Sequence, residues 1–331
     1  MKSKITRTLM TIGLAGAMAL GAISGTRAAE AAGAADKFPE ESITIVVPFS
    51  AGSGTDVGAR NLQKLLSKEL GVNILIENVT GSGGWIGWTD VIKNSPADGY
   101  TMGMINHNFV TGAYDDVTPR TITLNDVELL CNQAIDYNVL AIRSNEDRFT
   151  DIPSFIEYAK KNDVLVTAQT SGITDGDAST AQWFNNTYGT KITIVPVDGA
   201  SDGRSMLLAG DVDVYFASVG DVYIQRQSGE LKPLCVFAPE RSKFLPDVPT
   251  LKEINGGDYI AFACRGFFYP KGVDKAIVDK VRDAMLKCMK DPDYIKSMES
   301  MGLQVDTTNG DAYADLLNSQ LETRKEIWGV K

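Results

Sequence analysis

Five β-favouring residues, Ile43 to Val47, run into a loop of small and polar residues, and an amphipathic pattern follows at once with Val57, Leu62, Leu65 and Leu66 at helical spacing. This predicts a buried parallel strand that delivers a loop to a helix N-terminus. The alternation recurs. Asn73 to Glu77 reads as a second strand, and the glycine-rich run Asn78 to Trp88 enters a helix towards Asn94. Pro96-Ala97-Asp98-Gly99 is a turn, and Tyr100 to Ile105 is a third strand that ends at Asn106-His107-Asn108. Alternating β and α with short turns predicts a parallel sheet whose loops gather at the strands' carboxyl ends, where open α/β sheets bind ligands.

Val127 to Arg143 reads as one long extended segment that leaves this first unit. A second α/β series starts at Ile152, with a helix to Lys161, a strand from Val164 to Ala168 and a polar loop from Gln169 to Asp177. A helix over Ser179 to Tyr188 and a strand over Ile192 to Val197 follow, then a helix through Leu208 and a strand from Asp211 to Ala217. Ser218-Val219-Gly220-Asp221 opens the next helix, and Leu231 to Ala238 is a strand that carries the chain back. Phe262 to Tyr269 reads as a buried strand. Asp274 to Lys290 is an amphipathic helix with Ile277, Val278, Val281, Met285 and Met289 on one side, and a last helix spans Asp311 to Trp328.

The first residues carry a different pattern. Lys2, Lys4 and Arg7 precede an apolar, glycine- and alanine-rich run from Leu9 to Ile23, and small residues at 29–31 and 32–34 offer cleavage sites. A secretory signal peptide is expected over residues 1–34, cut between residues 28 and 34. The run is short and broken by glycine, which disfavours a membrane anchor. No cysteine lies near the cleavage region, so the mature chain is expected to be periplasmic or extracytoplasmic and not a lipoprotein. A mature chain of roughly 300 residues predicts two domains. The formal charge is −10, and it becomes −14 without residues 1–28, which hold four basic residues and no acid. Such acidity argues against nucleic acid or an anionic membrane as partner, yet a local pocket of N–H donors can still hold an anion.

Cys131, Cys235, Cys264 and Cys288 are widely spaced with no C-x-x-C, and free or buried thiols are expected. His107 is the only histidine, which largely excludes zinc sites built on several His or Cys ligands and triads based on any other histidine. No cofactor or metal is expected. The loop after the first strand has two readings. Small residues let its backbone approach a ligand, and the N–H groups opening the next helix lack internal partners, which suits an anion. An ordinary βα turn capped by Thr55 or Asp56 is the other. A dinucleotide-dependent enzyme is the rival from another class, but Gly52-x-Gly54-x-x-Val57 lacks the third glycine of that fingerprint. A hydrolase lacks its G-x-S-x-G elbow.

Several colinear motifs resemble one family. Val47-Pro48-Phe49-Ser50-Ala51-Gly52-Ser53-Gly54-Thr55-Asp56 with Ala59-Arg60 is similar to the VPF-x-x-G-G-x-x-D-x-x-A-R signature of tripartite tricarboxylate transporter substrate-binding proteins, the Bug/TctC family. Glu77-Asn78 with Gly81-Ser82-Gly83-Gly84-Trp85-Ile86-Gly87 resembles its E-N-x-x-G-A-G-G-x-x-G, and Asp98-Gly99-Tyr100-Thr101 its D-G-Y-T. Leu208 to Phe216 resembles L-x-G-x-V-D-x-x-F, and Arg241-Ser242 with Leu245 to Thr250 resembles RS-x-x-LPDVPT. The matches run in order from about residue 40 to the C-terminus.

The resemblance implies an α/β fold of the type II periplasmic binding protein kind. Two α/β lobes, joined by two crossing strands, would close on a small carboxylate-bearing solute in the cleft between them. The division expected is 38–138 plus 239–331 for the first lobe and 139–238 for the second. The first-lobe loops would grip a carboxylate, through Phe49, Ser50, Ala51, Gly52, Ser53, Gly54, Thr55 and Asp56 on one side and Gly83, Gly84 and Trp85 on the other. Asn106 ends a strand facing the cleft. The opposing lobe would supply Thr170, Ser171, Gly172, Thr174 and Asp175, with Ser218 and Asp221 at a further helix start. The implied partners are the large and small integral subunits of a permease, with the receptor itself a monomer; a ligand-presenting sensor of the same fold is the alternative output. The chain departs from the family pattern. Ala51 replaces a usual proline, Asp175 and Asp177 add two acids to the second-lobe loop, and Asp198 stands where lysine is frequent. Two acids beside a cleft would repel a carboxylate or pair with an amine, so a ligand carrying both groups fits as well.

Overall fold

The computed structural model describes residues 37–114, 120–168, 174–255 and 257–329. The expected signal peptide and the expected ligand residues Thr170, Ser171 and Gly172 lie outside the described residues. Strand β1 (Ile43–Val47) lies between β2 (Ile74–Asn78) and β3 (Thr101–Asn106), parallel to both. Its alternation sorts the two faces of the sheet. Ile43, Ile45 and Val47 pack with Leu62 and Leu66 of helix α1 (Gly54–Leu70) and with Val281 and Met285 of α9 (Lys275–Met289). Val46 faces the other way, onto Phe49 and the Trp85, Trp88 and Phe109 cluster built around α2 (Trp85–Asn94) and the short α3 (Asn108–Thr111). Both faces are covered, which is why β1 reads as a continuous apolar run rather than an alternating one.

Strand β4 (Val127–Arg143) is the long extended segment the sequence predicts, with the expected bounds. Its first part pairs antiparallel with β9 (Phe262–Pro270), which also pairs antiparallel with β3. The last pair of that ladder is Tyr137 with Phe262; at Asn138 the strand changes partners and pairs with β7 (Tyr215–Ser218) and β8 (Leu231–Val236). Asn138 N–H donates to the Ala261 carbonyl at 2.8 Å, and its own carbonyl accepts from Phe237 N–H at 2.8 Å. Two chain crossings, β4 and the approach to β9, therefore meet at one point. Beyond it, β5 (Asp163–Ala168) and β6 (Lys191–Pro196) form a parallel pair flanked by α4 (Ile152–Lys161) and α5 (Gly176–Tyr188). Phe155, Phe184, Phe216 and Phe237 fill this second core, and α6 (Ala200–Ala209) and α7 (Val219–Gln227) add Leu207, Val219 and Val222 on its other side.

Three features differ from the sequence expectation. Leu245 and Val248 pack with Val139 and Val236, and Leu251 of α8 (Leu251–Asn255) packs with Phe216 and Phe237, so the stretch after β8 sits on the second core rather than with the first lobe. The expected strand from Asp211 starts only at Tyr215, because Asp213 and Val214 N–H groups both donate to the Leu165 carbonyl instead of running in the ladder. Helix α10 (Pro292–Ser300) is an element the sequence pattern does not predict; Asp291 caps it, accepting from Asp293 and Tyr294 N–H, and Pro292 occupies its first turn. It precedes the short strand β10 (Gln304–Val305) and the last helix, α11 (Gly310–Trp328). No described helix is long and apolar enough to cross a membrane.

Candidate functional site

The loop between β1 and α1 is set by charge before any ligand is considered. Ser53 is the N-cap of α1, its hydroxyl accepting from Asp56 N–H at 3.4 Å. Asp56 turns back on the loop. It accepts from Gly52 N–H at 2.9 Å, from Asn78 Nδ2 at 3.0 Å and from Arg60 Nε at 3.0 Å. Burial opposes ionisation of Asp56, but Arg60, Gly52 and Asn78 outweigh it and hold the carboxyl below its ordinary value. The recurring D, R and E-N positions of the motif are thus a staple that fixes the loop. The second glycine loop serves the same scaffold: Gly84 has φ +100°, and a Cβ there would meet Trp88 and Phe49 at 3.0 and 3.2 Å.

A carboxylate occupies the N-terminus of α1, and it belongs to the protein. Asp221 of α7 accepts from Gly54 N–H at 3.0 Å and from Arg265 Nη2 at 3.2 Å. A Cβ at Gly54 would lie 3.0 Å from the Arg265 guanidinium and 3.1 Å from Asp221, so only glycine admits this approach without displacement. Arg265, on β9, also donates to Ser218 Oγ at 3.0 Å and to Asp136 at 2.8 Å. Asp136 in turn accepts from Gly220 N–H, at the start of α7, at 3.2 Å. Burial raises Asp136 to about 6 against the pull of Arg265, with Asp221 adding to the rise, because one guanidinium serves two carboxylates. Burial opposes the Arg265 charge too, but Asp136 and Asp221 outweigh it and raise its pKa.

The same arrangement appears at α5. Asp175 caps it through Asp177 and Ala178 N–H at 2.9 and 3.3 Å, and its second oxygen accepts from Asn108 Nδ2 at 2.7 Å. Three helix N-termini therefore converge here, α1, α5 and α7, and each meets a resident carboxylate. Further bonds cross the cleft: Ser50 Oγ to Ser201 Oγ at 2.7 Å, Thr111 Oγ1 to the Thr174 carbonyl at 3.0 Å, and Asn186 Nδ2 to the Ile327 carbonyl at 3.1 Å. Between the two sides lies a cavity of about 40 Å³. With Gly54 bonded to Asp221, Ser50 to Ser201 and Thr111 to Thr174 across it, the cleft is closed. Asn138 lines the cavity, and its Oδ1 has no hydrogen-bond partner among the described residues. Asp177 lines it as well, accepting a long 3.5 Å bond from Asn138 Nδ2. Burial, then Asp175 and Asp221, raise Asp177 well above the ordinary carboxylate range. Burial, then Arg324 and Arg265, lower His107 far enough to keep the imidazole neutral.

Of the residues expected at the site, Ser53, Gly54, Thr55, Asn106, Asp175, Ser218 and Asp221 line this cavity. Ser50 reaches the cleft through its bond to Ser201, and Thr174 through its carbonyl. Ala51 and Gly52 are exposed on the outer loop, and Asp56 is committed to the staple. Phe49, Gly83, Gly84 and Trp85 are buried in the first lobe; Trp85 stacks on Phe109 at 5.2 Å rather than walling the cavity. The sequence reading missed Arg265 and Asn138 as cavity residues, and Asp136 as the carboxylate behind Arg265. Its available signal was a lone arginine in the apolar run Phe262 to Tyr269, since a buried strand does not hold a guanidinium without partners. Among the described residues no cluster of His, Cys, Asp and Glu is arranged to hold a metal ion.

Comparison with known proteins gives the same architecture. The family described as "Tripartite tricarboxylate transporter family receptor" matches residues 58–329. The UPF0065 protein of the TAR-I ttuE-ttuC' intergenic region of Agrobacterium vitis is 30% identical over 273 residues, 81% of this chain and 77% of that protein. Protein BugT of Bordetella pertussis is 27% identical over 246 residues, 74% and 75% of the two chains. The solved structure of the periplasmic binding protein BugD superposes with a TM-score of 0.81 at 26% identity, covering 88% of this chain and 98% of that one. MatC of Rhodopseudomonas palustris, solved with bound malate, shares the fold at a TM-score of 0.80 and 23% identity, with 88% and 99% covered. A two-lobed type II binding-protein fold and a family match over most of its length make this chain a member of the tripartite tricarboxylate transporter receptors, extracytoplasmic solute-binding proteins that deliver a small solute to the transporter's membrane permease.

Proposed function

We propose that the cleft captures a small carboxylate-bearing solute by lobe closure and that the closed form is what the large and small permease subunits receive. The observation that carries this reading is Asp221: a carboxylate is already held by Gly54 N–H at 3.0 Å and Arg265 at 3.2 Å. A helix N-terminus and a guanidinium together are a strong carboxylate receptor. Asp221 comes from the opposite side of the cleft, so parting the lobes would free both donors for a solute. Ligand free energy then shifts an open–closed equilibrium, because the site is completed from both sides only on closure.

The packing supports lobes of 38–137 plus 262–329 and of 138–261, with the hinge at Asn138. We further propose export by the signal peptide over 1–34, without a lipid anchor, and a monomeric mature protein. Calorimetric titration of the mature protein with mono-, di- and tricarboxylates tests the capture reading. Saturable binding accompanied by a change in small-angle scattering is the expected result; absence of binding by every carboxylate, amino acids included, would remove it.

A further inference from the structure

We infer that the solute is a zwitterion, an α-amino acid or a close analogue, and that Asp221 and Arg265 divide its two charges between them. This rests on the reading of the cleft as a carboxylate site and names the class of solute it takes. Asp221 and Arg265 form an ion pair at 3.2 Å that bridges the two sides of the cleft. An α-amino acid carries its ammonium and carboxylate about 3 Å apart on one carbon, by ordinary backbone dimensions. Inserted between the pair, it replaces one ion pair by two: its carboxylate on Arg265 and Gly54 N–H, its ammonium on Asp221. A plain carboxylate in that place would strand Asp221 against like charge, since Asp136 and Asp175 are already committed.

Two independent features complete the ammonium side. Asn138 is 6% exposed, lines the same cavity, and its Oδ1 is a buried acceptor with no partner among the described residues. Asp177 lines that cavity beside it and accepts the long 3.5 Å bond from Asn138 as its hydrogen bond to a described side chain. An ammonium has three N–H donors, and Asp221, Asn138 and Asp177 supply three acceptors. Among the residues lining the cavity, the first lobe contributes the cation Arg265 and the second the acids Asp175, Asp177 and Asp221, so the cavity is polarised in the sense a zwitterion requires.

Matched pairs test this, because L-aspartate is succinate with one added amino group and L-alanine is propionate with one. Calorimetry on the mature protein should show each amino compound binding at least about 30-fold tighter than its deaminated partner, the scale on which a buried charge pair acts. Asp221→Asn keeps the size of the side chain and an oxygen for Gly54; it should reduce that ratio to about threefold or less and raise succinate affinity. Asp177→Asn, which breaks no ion pair, reads the ammonium contact separately and should weaken aspartate but not succinate. Equal binding of succinate and aspartate by the wild-type protein would overturn the zwitterion assignment and leave carboxylate capture standing. A preference that survives both substitutions would overturn the residue assignment. Binding of neither partner of either pair would overturn the capture reading and the zwitterion with it.

Discussion

Gly199→Ala should oppose closure without damaging either lobe. Gly199 is the N-cap of α6 with φ −176°, an extended conformation that alanine adopts freely. The added Cβ would lie 2.1 Å from Ser50 Oγ and 3.1 Å from both Cβ and N of Ser50, on the opposite side of the cleft. If Ser50 rotates away, its 2.7 Å bond to Ser201 is lost, at about 1 kcal/mol. The two 3.1 Å contacts remain and still need a few tenths of an ångström. Overpacking of this kind costs about 1–3 kcal/mol, so a total of about 2–4 kcal/mol, or at least about a 30-fold loss of solute affinity, is expected. Because Ser50 and Gly199 meet only across the cleft, the melting temperature in the absence of solute should move by less than about 2 °C. Calorimetry gives the affinity, and small-angle scattering should show the population shifted towards the open form. Ser50→Ala alone loses only the Ser201 bond, so the double variant should still show the part of the loss set by the two 3.1 Å contacts, which alanine retains. Unchanged affinity in Gly199→Ala would show that this contact is not made in the bound state, and a fall of many degrees in melting temperature would show that the residue is structural.

Other consequences can be tested directly. The Arg148 guanidinium, 2.6 Å from Glu146, holds that buried carboxyl down at about 2 from its ordinary 4.5. A depressed folded-state pKa contributes stability that is complete above pH 4.5 and lost as pH falls towards 2. Glu146→Gln should therefore cost about 2–3 kcal/mol in urea unfolding at pH 7, with a gap that narrows below pH 4.5; a gap independent of pH would refute the linkage. Burial raises the Cys131 and Cys264 thiols to about 12 and the Cys288 thiol to about 11, and raises Cys235 further. All four cysteines are free and buried. Native protein at pH 8 should leave them unlabelled by a thiol-specific disulfide reagent over minutes, and urea should expose all of them; a fast-reacting thiol in the native state would contradict the packing. Gly266→Ala would set a Cβ 2.3 Å from the Cys131 carbonyl oxygen across the β4–β9 ladder, where neither backbone can rotate away. A melting temperature lowered by at least about 5 °C is expected, and an unchanged one would refute that register.

What the sequence determined by itself was the order of elements, the βα loops and the family, since each depends on neighbours within a few tens of residues. The bounds of β4 were legible, as were the β1–α1 unit and the amphipathic face of α9. So were the free thiols, because widely spaced cysteines in a chain with ample core have no need of a staple. The site was legible only in part. Ser53, Gly54 and Thr55 follow from the motif, but Asp56 looks the same in sequence whether it faces a ligand or, as it does, folds back on Gly52 and Arg60. Which carboxylate meets which donor was decided by the tertiary structure alone. Gly54 and Asp221 are 167 residues apart, and Arg265 and Asp136 are 129 apart. No local propensity records such pairs. The charge balance of the cleft, which selects the solute, exists only once both lobes fold and the crossing strands bring them face to face, because a charge's energy depends on the burial and partners that closure creates.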